Sequence, residues 1–362
     1  MLSRGCRFPS VANRSPTVSS IPSRRISKCT KPSHLRLRLN AYAAYEDTSC
    51  SNIQLFSPSK INLFLRVVRR REDGYHDLAS LFHVIDLGDN MSFHILPEGS
   101  THDVLTCSDP TIPTDSSNLV IKALNLFRLK TGTQPYFSIN LEKRVPHGAG
   151  LGGGSGNAAT TLWAANELTG RPASNEKLLE WSGEIGSDIS VFFSQGAAYC
   201  TGRGEIVEEV APPLPLETPM LLVKPPVGLS TPRIFRSLDL SRRSTVDPLT
   251  LLQVLSSSGT MTQDLAVNDL EQPAFDNLPE LLTLKERLKS SSSEGNSSSG
   301  SSSSPFSAVF MTGSGSTLVC MGSDETPAFL SAQEYKDLFV SPARLIVREP
   351  GSWYEPSALQ CK

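Results

Sequence analysis

The chain takes on the pattern of folded protein from Ile53 onward. Between residues 61 and 68, Ile61, Leu63, Leu65 and Val67 alternate with Asn62, Phe64, Arg66 and Val68. That period of two predicts a strand. Side chains on a strand point to alternate faces, so Lys60 and Asn62 share one. Residues 69–75 read as a polar turn, and residues 78–86 begin the next element. A helix is expected over 118–130, a strand over 136–141, helices over 158–168 and 176–183, and a strand over 220–224. A helical region near 270–288 and a strand at 308–311 follow. Mixed strands and helices of this kind place the chain in the α/β (α+β) class.

Between the strand at 136–141 and the helix at 158–168 lies the run Gly148-Ala-Gly-Leu-Gly-Gly-Gly-Ser-Gly-Asn157. Glycine loses the most backbone entropy on ordering, so this run is expected to be neither strand nor helix. A glycine-rich turn that feeds a helix N-terminus presents unpaired N–H groups and the positive end of the helix dipole, which suits phosphates. No Gly-Lys-Ser/Thr follows, which excludes the Walker loop, and no acidic residue about twenty positions on supports a dinucleotide fingerprint. A second glycine turn, residues 313–317, stands between the strand at 308–311 and the apolar Leu318-Val-Cys.

Composition narrows the partners. A formal charge of −2 argues against nucleic acid, which calls for a basic patch. No apolar run approaches the roughly eighteen residues of a spanning helix, so no membrane span is expected. The seven cysteines include no C-x-x-C pair, which points to reduced thiols rather than a disulfide framework or zinc site. Nine Lys or Arg precede the first acidic residue, Glu46, amid many Ser and Pro. Residues 1–46 therefore read as an organelle transit peptide of plastid type, with the plastid stroma as destination. Residues 290–304, nearly all Ser, Gly and Asn, cannot bury apolar surface and are expected to form a disordered loop. The Pro-rich stretch 211–215 marks a domain seam, and residues 351–362 read as a tail.

The blocks Pro58-Ser-Lys-Ile-Asn-Leu-Phe-Leu65, Asp73-Gly-Tyr-His76, Pro146 to Ser155, Gly186-Ser-Asp-Ile189 and Thr312-Gly-Ser-Gly-Ser-Thr317 follow an order seen in the GHMP kinases. This is the superfamily of galactokinase, homoserine kinase and mevalonate kinase. The chain resembles that family from Ile53 to its C-terminal region, and the pairing of Asp-Gly-Tyr-His with Lys-Ile-Asn-Leu resembles one branch of it. The resemblance implies a two-domain fold with the active site in the interdomain cleft. Residues 53–213 would form the N-terminal domain with the ATP loop and catalytic residues, and residues 214–350 the C-terminal domain. It implies ATP-dependent phosphorylation of the 2-hydroxyl of a methylerythritol carried on a cytidine diphosphate group, in the non-mevalonate isoprenoid pathway. The protein would work as a monomer or homodimer.

Roles follow residue by residue from the same resemblance. Asp188 matches the family's catalytic aspartate, suited to accept the proton of an attacking alcohol. Lys60 matches the catalytic lysine, whose charge would keep that carboxylate ionised. The ATP loop would comprise Pro146, His147, Gly148, Ala149, Gly150, Leu151, Gly152, Gly153, Gly154, Ser155 and Gly156. Asn62 would hydrogen-bond erythritol hydroxyls, Tyr75 and His76 would hold cytosine, and Phe235 would form a second aromatic wall. Gly313, Ser314, Gly315 and Ser316 would brace the phosphate loop. ATP and Mg are the implied co-substrate and ion, the Mg arriving with ATP and meeting Ser155 rather than a dedicated protein site.

Three positions depart from the family pattern: Gly156 replaces a serine, Ser190 a proline and Ser59 an alanine. Two other readings stand beside this one. The first is a homoserine- or mevalonate-type GHMP kinase, against which Asp73-Gly-Tyr-His76 argues, because such substrates need no aromatic shelf. The second is a non-catalytic GHMP-fold ligand sensor, against which the joint presence of Lys60 and Asp188 argues.

Overall fold

The computed structural model describes residues 52–291 and 304–356. The transit segment, residues 292–303 of the serine tract and the last part of the tail lie outside the described residues. The described residues belong to one compact unit, Ser49–Lys362.

Six strands form the first sheet: β1 (Asn52–Arg70), β2 (His76–Ile95), β3 (Val104–Cys107), β4 (Phe137–Glu142), β5 (Ala197–Gly202) and β6 (Ile206–Glu209). Their order is β3-β4-β2-β5-β6, with β1 along the other edge of β2. β2 is long enough to pair twice on one edge, through residues 90–95 with β4 and through residues 78–83 with β5. The helices α1 (Leu119–Thr131), α2 (Gly153–Leu168) and α3 (Asn175–Ile185) pack in this half, with a 3₁₀ turn at Ser187–Phe193. α2 lies against β1 and α1 against α2.

The second sheet is antiparallel, with order β10-β7-β9-β8: β7 (Met220–Lys224), β8 (Ala308–Met311), β9 (Leu318–Met321) and β10 (Phe339–Ala343). Around it stand α4 (Thr231–Arg236), α5 (Pro248–Ser258), α6 (Glu271–Asn277) and α7 (Pro279–Lys289). Leu281, Leu284 and Leu288 of α7 join Val309, Met311 and Leu318 in one apolar cluster.

Three sequence expectations change. The alternation along β1 suggests one polar face, yet the strand is buried continuously from Phe56 to Val67, Lys60, Asn62 and Arg66 included. The helix after the glycine run starts inside it, so Gly153, Gly154 and Gly156 are helical. Each glycine costs a helix about 1 kcal/mol relative to alanine, but burial overrides propensity here, since α2 is buried all round from Gly156 to Asn166. A Cβ at Gly156 would collide with the carbonyl oxygen of Pro58. The helical region near 270–288 is two helices, because Pro279 cannot continue α6 and keeps Leu278 out of the helical region (φ −144°).

The free edge of β1 explains why the site forms beside it. An edge strand leaves a row of unpaired N–H groups, which must find partners when buried. Three segments remote in sequence supply them. Lys60 N donates to Leu151 O (2.9 Å) and Leu65 N to Val267 O (2.8 Å). Asn62 N donates to Thr312 Oγ1 (2.9 Å) and Val67 N to the Asp269 carboxylate (2.7 Å). The glycine loop and the second glycine turn are thereby pinned to the strand that carries Lys60.

Candidate active site

The glycine loop climbs from Pro146 to Gly152 with Gly148, Gly150 and Gly152 at positive φ (62°, 75° and 66°). Gly150 is required twice over, by that conformation and because a Cβ there would strike the carbonyl oxygen of Thr312. At Gly152 a Cβ would come within 2.9 Å of the Lys60 side chain. Gly152 also caps α2 without a side-chain hydrogen bond, and the first turn of α2 holds no acidic residue. The N–H groups of that turn and the positive end of the dipole therefore remain available to an anion.

Lys60 reaches through the core beneath this loop. Its ammonium donates to Asn62 Oδ1 (2.8 Å) and Gly150 O (2.9 Å) and stands 3.6 Å from the Asp188 carboxylate. Phe82 presents its ring 4.9 Å away. Burial pushes the ammonium below the ordinary lysine range, and Asp188 opposes that shift. The Lys60 side chain is 2% exposed whereas that of Asp188 is 44% exposed. The pair thus has a buried cation and a carboxylate open to the cleft. Asp188 is delivered by the 3₁₀ turn that follows α3.

The cleft has a volume of about 1200 Å³. Lys60, Asp188, the loop from Pro146 to Ser155 and the turn Gly313–Gly315 line it, as do Tyr75, His76 and Phe235. The family model for the GHMP kinases N terminal domain matches residues 118–196. A chloroplastic/chromoplastic 4-diphosphocytidyl-2-C-methyl-D-erythritol kinase of Solanum lycopersicum is 52% identical over 309 residues, 85% of this chain and 74% of that protein. The same-named enzyme of Protochlamydia amoebophila is 44% identical over 84% of this chain and 94% of its own. This chain belongs to the 4-diphosphocytidyl-2-C-methyl-D-erythritol kinases.

A solved 4-(cytidine 5'-diphospho)-2C-methyl-D-erythritol kinase has the same fold, with a TM-score of 0.60 and 28% identity, covering 81% of this chain and 99% of that one. Homoserine kinase from Cytophaga hutchinsonii shares the fold at a TM-score of 0.60 and 14% identity, covering 83% and 96%. The expected GHMP architecture is therefore present, and the fold alone does not separate the branches. The 52% and 44% identities to the named relatives carry that distinction.

Within this kinase cleft most of the expected residues converge. Two glycine turns interlock: Thr317 N donates to Ala149 O (3.2 Å), and a Cβ on Gly313 would lie 2.9 Å from Gly150 O. Ser314 Oγ is 2.7 Å from Thr231 Oγ1, and Ser316 Oγ donates to Val227 O (2.6 Å). Gly313, Ser314 and Gly315 face the cleft, whereas Ser316 and Gly156 do not line it. The serine hydroxyl that Gly156 lacks therefore belongs to the side facing β1 rather than to the open loop. Ser190, in the place of the usual proline, meets Ser182 (Oγ to Oγ, 3.0 Å), so a buried hydrogen bond fixes that turn.

Asn62 is more committed than the sequence suggests. Its Oδ1 accepts from Lys60 and from Thr312 Oγ1 (3.3 Å), and its Nδ2 donates to Ser80 (2.8 Å). In this arrangement it orients the lysine. Tyr75 is 59% exposed, while His76 and Phe235 stack on each other (5.3 Å, 27°). Burial, then Arg70, lowers the His76 pKa, which favours a neutral ring with one donor and one acceptor nitrogen.

Asp73 Oδ1 accepts from Tyr75 N (3.1 Å) and shapes the turn that displays the tyrosine. Other supports have no local signature in the sequence. Buried Asp89 accepts from Arg144 N (2.8 Å), Val145 N (2.9 Å), Asn157 Nδ2 (2.8 Å) and the Lys143 ammonium. That fan fixes the entry to the glycine loop. Asn268 donates to Met311 O (2.7 Å) and Gly313 O (2.9 Å), holding the second turn.

Proposed function

We propose that the cleft transfers the γ-phosphoryl group of ATP to the 2-hydroxyl of 4-diphosphocytidyl-2-C-methyl-D-erythritol, giving the 2-phosphate and ADP. The observation that carries this reading is the Lys60–Asp188 pair, 3.6 Å apart, joined through the same ammonium to Gly150 of the glycine loop. In the reaction the alcohol oxygen bonds to the γ-phosphorus as the bond to the β,γ-bridging oxygen breaks. Asp188 accepts the alcohol's proton and ADP leaves with the bridging oxygen. Phosphoryl transfer depends mainly on positioning and charge neutralisation, so a modest base suffices. Lys60 holds the carboxylate in place and adds positive charge beside the transferring group.

The glycine loop and the first turn of α2 receive the phosphates of ATP. Ile112, Pro113, Leu119 and Leu141 also line the cleft and offer the apolar surface an adenine needs. Mg suits the site because the Ser155 hydroxyl has no hydrogen-bond partner among the described residues and lines the cleft on the first turn of α2. Mg characteristically bridges nucleotide phosphates with few protein ligands, and Ser155 would be one. When bound, the ion neutralises phosphate charge. Tyr75, His76 and Phe235 hold the cytosine, by stacking and through the imidazole nitrogens. The place of the reaction is the plastid stroma, as the basic, acid-poor start of the chain and the chloroplastic relatives suggest.

The test is ATP consumption by the full chain with the cytidylylated substrate, beside homoserine and mevalonate. Turnover confined to the cytidylylated substrate is expected. Preference for either of the others would replace this reading. A fluorescent protein fused after residue 46 should enter plastids, and retention in the cytosol would reject the targeting reading.

A further inference from the structure

The proposed substrate has three parts, and the residues named above serve two of them. Cytosine is held at Tyr75, His76 and Phe235, and the reacting hydroxyl lies at Asp188. The diphosphate between them carries two negative charges that the cleft must accommodate. A buried or half-buried anion left unpaired is costly, so a cation between the two subsites is expected.

Arg203 stands there. It sits in the turn joining β5 to β6, where Gly204 N donates to Thr201 O (3.0 Å) and Gly202 and Gly204 adopt positive φ (69° and 115°). On one side its guanidinium lies over the Tyr75 ring, 5.4 Å from the centroid. On the other, a Cβ at neighbouring Gly204 would come 3.5 Å from Asp188 Oδ1. The side chain is 39% exposed and lines the cleft. The Glu205 carboxylate accepts from Arg203 N (2.6 Å) and meets Nε at 3.4 Å, which aims the side chain. The two terminal nitrogens make no hydrogen bond among the described residues, so two parallel donors remain for phosphate oxygens. Of the carboxylates around Arg203, Glu205 meets only its Nε, Asp73 is occupied by Arg71, and Asp188, beside Gly204, faces Lys60. Arg70, opposite His76 across the β1–β2 ladder, also lines the cleft.

We propose that Arg203 binds the diphosphate bridge of the substrate and thereby sets the span between the cytosine shelf and Asp188. The inference rests on the substrate reading given above. It makes Arg203 a specificity residue: a substrate without the diphosphate would gain nothing from it.

The experiment measures dissociation constants of cytidine and of cytidine diphosphate for the full chain, with saturating ADP filling the glycine loop. It compares the wild type with Arg203→Gln and Arg203→Lys. A hydrogen-bonded charge of this kind corresponds to about a 10- to 100-fold preference for cytidine diphosphate over cytidine in the wild type. Arg203→Gln should erase most of that ratio while leaving cytidine binding nearly unchanged, and Arg203→Lys should keep part of it. In steady state, KM for the cytidylylated substrate should rise in Arg203→Gln with KM for ATP unmoved. Equal losses for cytidine and cytidine diphosphate would overturn the inference and leave Arg203 as a packing partner of Tyr75. An unchanged ratio would overturn it as well and transfer the role to Arg70. A wild-type chain that binds neither ligand would instead defeat the cytidine reading on which the inference stands.

Discussion

The Lys60 ammonium is 2.9 Å from the carbonyl oxygen of Gly150 while facing Asp188 at 3.6 Å. One buried cation therefore ties the glycine loop to the carboxylate proposed to act as base, so nucleotide grip and chemistry share a component.

That sharing separates the two residues experimentally. Asp188→Asn keeps the shape and removes the charge and proton acceptor, so kcat should fall by about 10²- to 10⁴-fold with ATP binding retained. Lys60→Met should lose a similar factor in kcat and also weaken ATP, because Gly150 loses its donor. The double variant should be much less than multiplicatively worse, as residues acting as a unit are non-additive. Steady-state kinetics with separate ATP titrations checks all three, and full additivity would split the pair into independent roles.

Gly150→Ala puts a Cβ against the Thr312 carbonyl at a residue whose φ is 75°. Strain and overpacking together should cost roughly 2–4 kcal/mol. The melting temperature should fall and ATP affinity with it, whereas Gly99→Ala, at a positive-φ turn with open space around it, should lose stability without affecting ATP. Intact ATP binding in Gly150→Ala would show that the two glycine turns need not interlock.

Tyr75→Ala and Phe235→Ala address the cytosine shelf. Loss of a base-stacking partner costs about 1–3 kcal/mol, so KM for the cytidylylated substrate should rise by about 5- to 150-fold while KM for ATP stays put. The opposite pattern, with ATP affected instead, would reassign that end of the cleft.

His83 lies fully buried on β2, its Nδ1 2.9 Å from Val84 O and its Nε2 without a partner among the described residues. Burial pushes its pKa down to about 4. The unfolded chain binds a proton near pH 6.5 that the folded chain refuses until about pH 4, so stability drops as pH falls through that window. The full difference is about 3 kcal/mol. Denaturant titrations at pH 7 and pH 4.5 should show a steeper loss for the wild type than for His83→Leu. Parallel curves would mean that carboxylates account for the acid sensitivity.

The Pro146–Ser155 loop announces an anion site in its own residues, whereas Lys60, Asp188, Tyr75 and His76 stand out only through the family resemblance; the structure sets all of them along one cleft. What escaped was of two kinds. Arg66 and Asp269 form a buried pair (2.9 Å) across a separation of 203 residues, and Asn268, Thr312 and Asp89 act through partners that are also remote. No periodicity encodes such contacts. The other kind is tertiary override: the start of α2 in glycine and the two-sided burial of β1 reflect packing against neighbours, and propensity alone predicts neither. Arg203 belongs with the first kind, because nothing in its own turn announces a ligand until that turn is seen beside Tyr75 and Asp188.

The last described residues fold back onto the first sheet. Ile346 N donates to Val84 O (3.1 Å), Trp353 Nε1 to Phe56 O (3.0 Å) and Tyr354 Oη to Ser194 O (2.6 Å), with Trp353 and Tyr354 buried in the same cluster as Phe56 and Phe193. A polypeptide made from its N-terminus therefore keeps its earliest core open until residues 346–354 have left the ribosome. The same holds for a chain threaded N-terminus first through a translocation pore. A premature stop after residue 343 would leave that apolar surface uncovered, a product expected to be captured by chaperones or to aggregate rather than to persist as a half-enzyme.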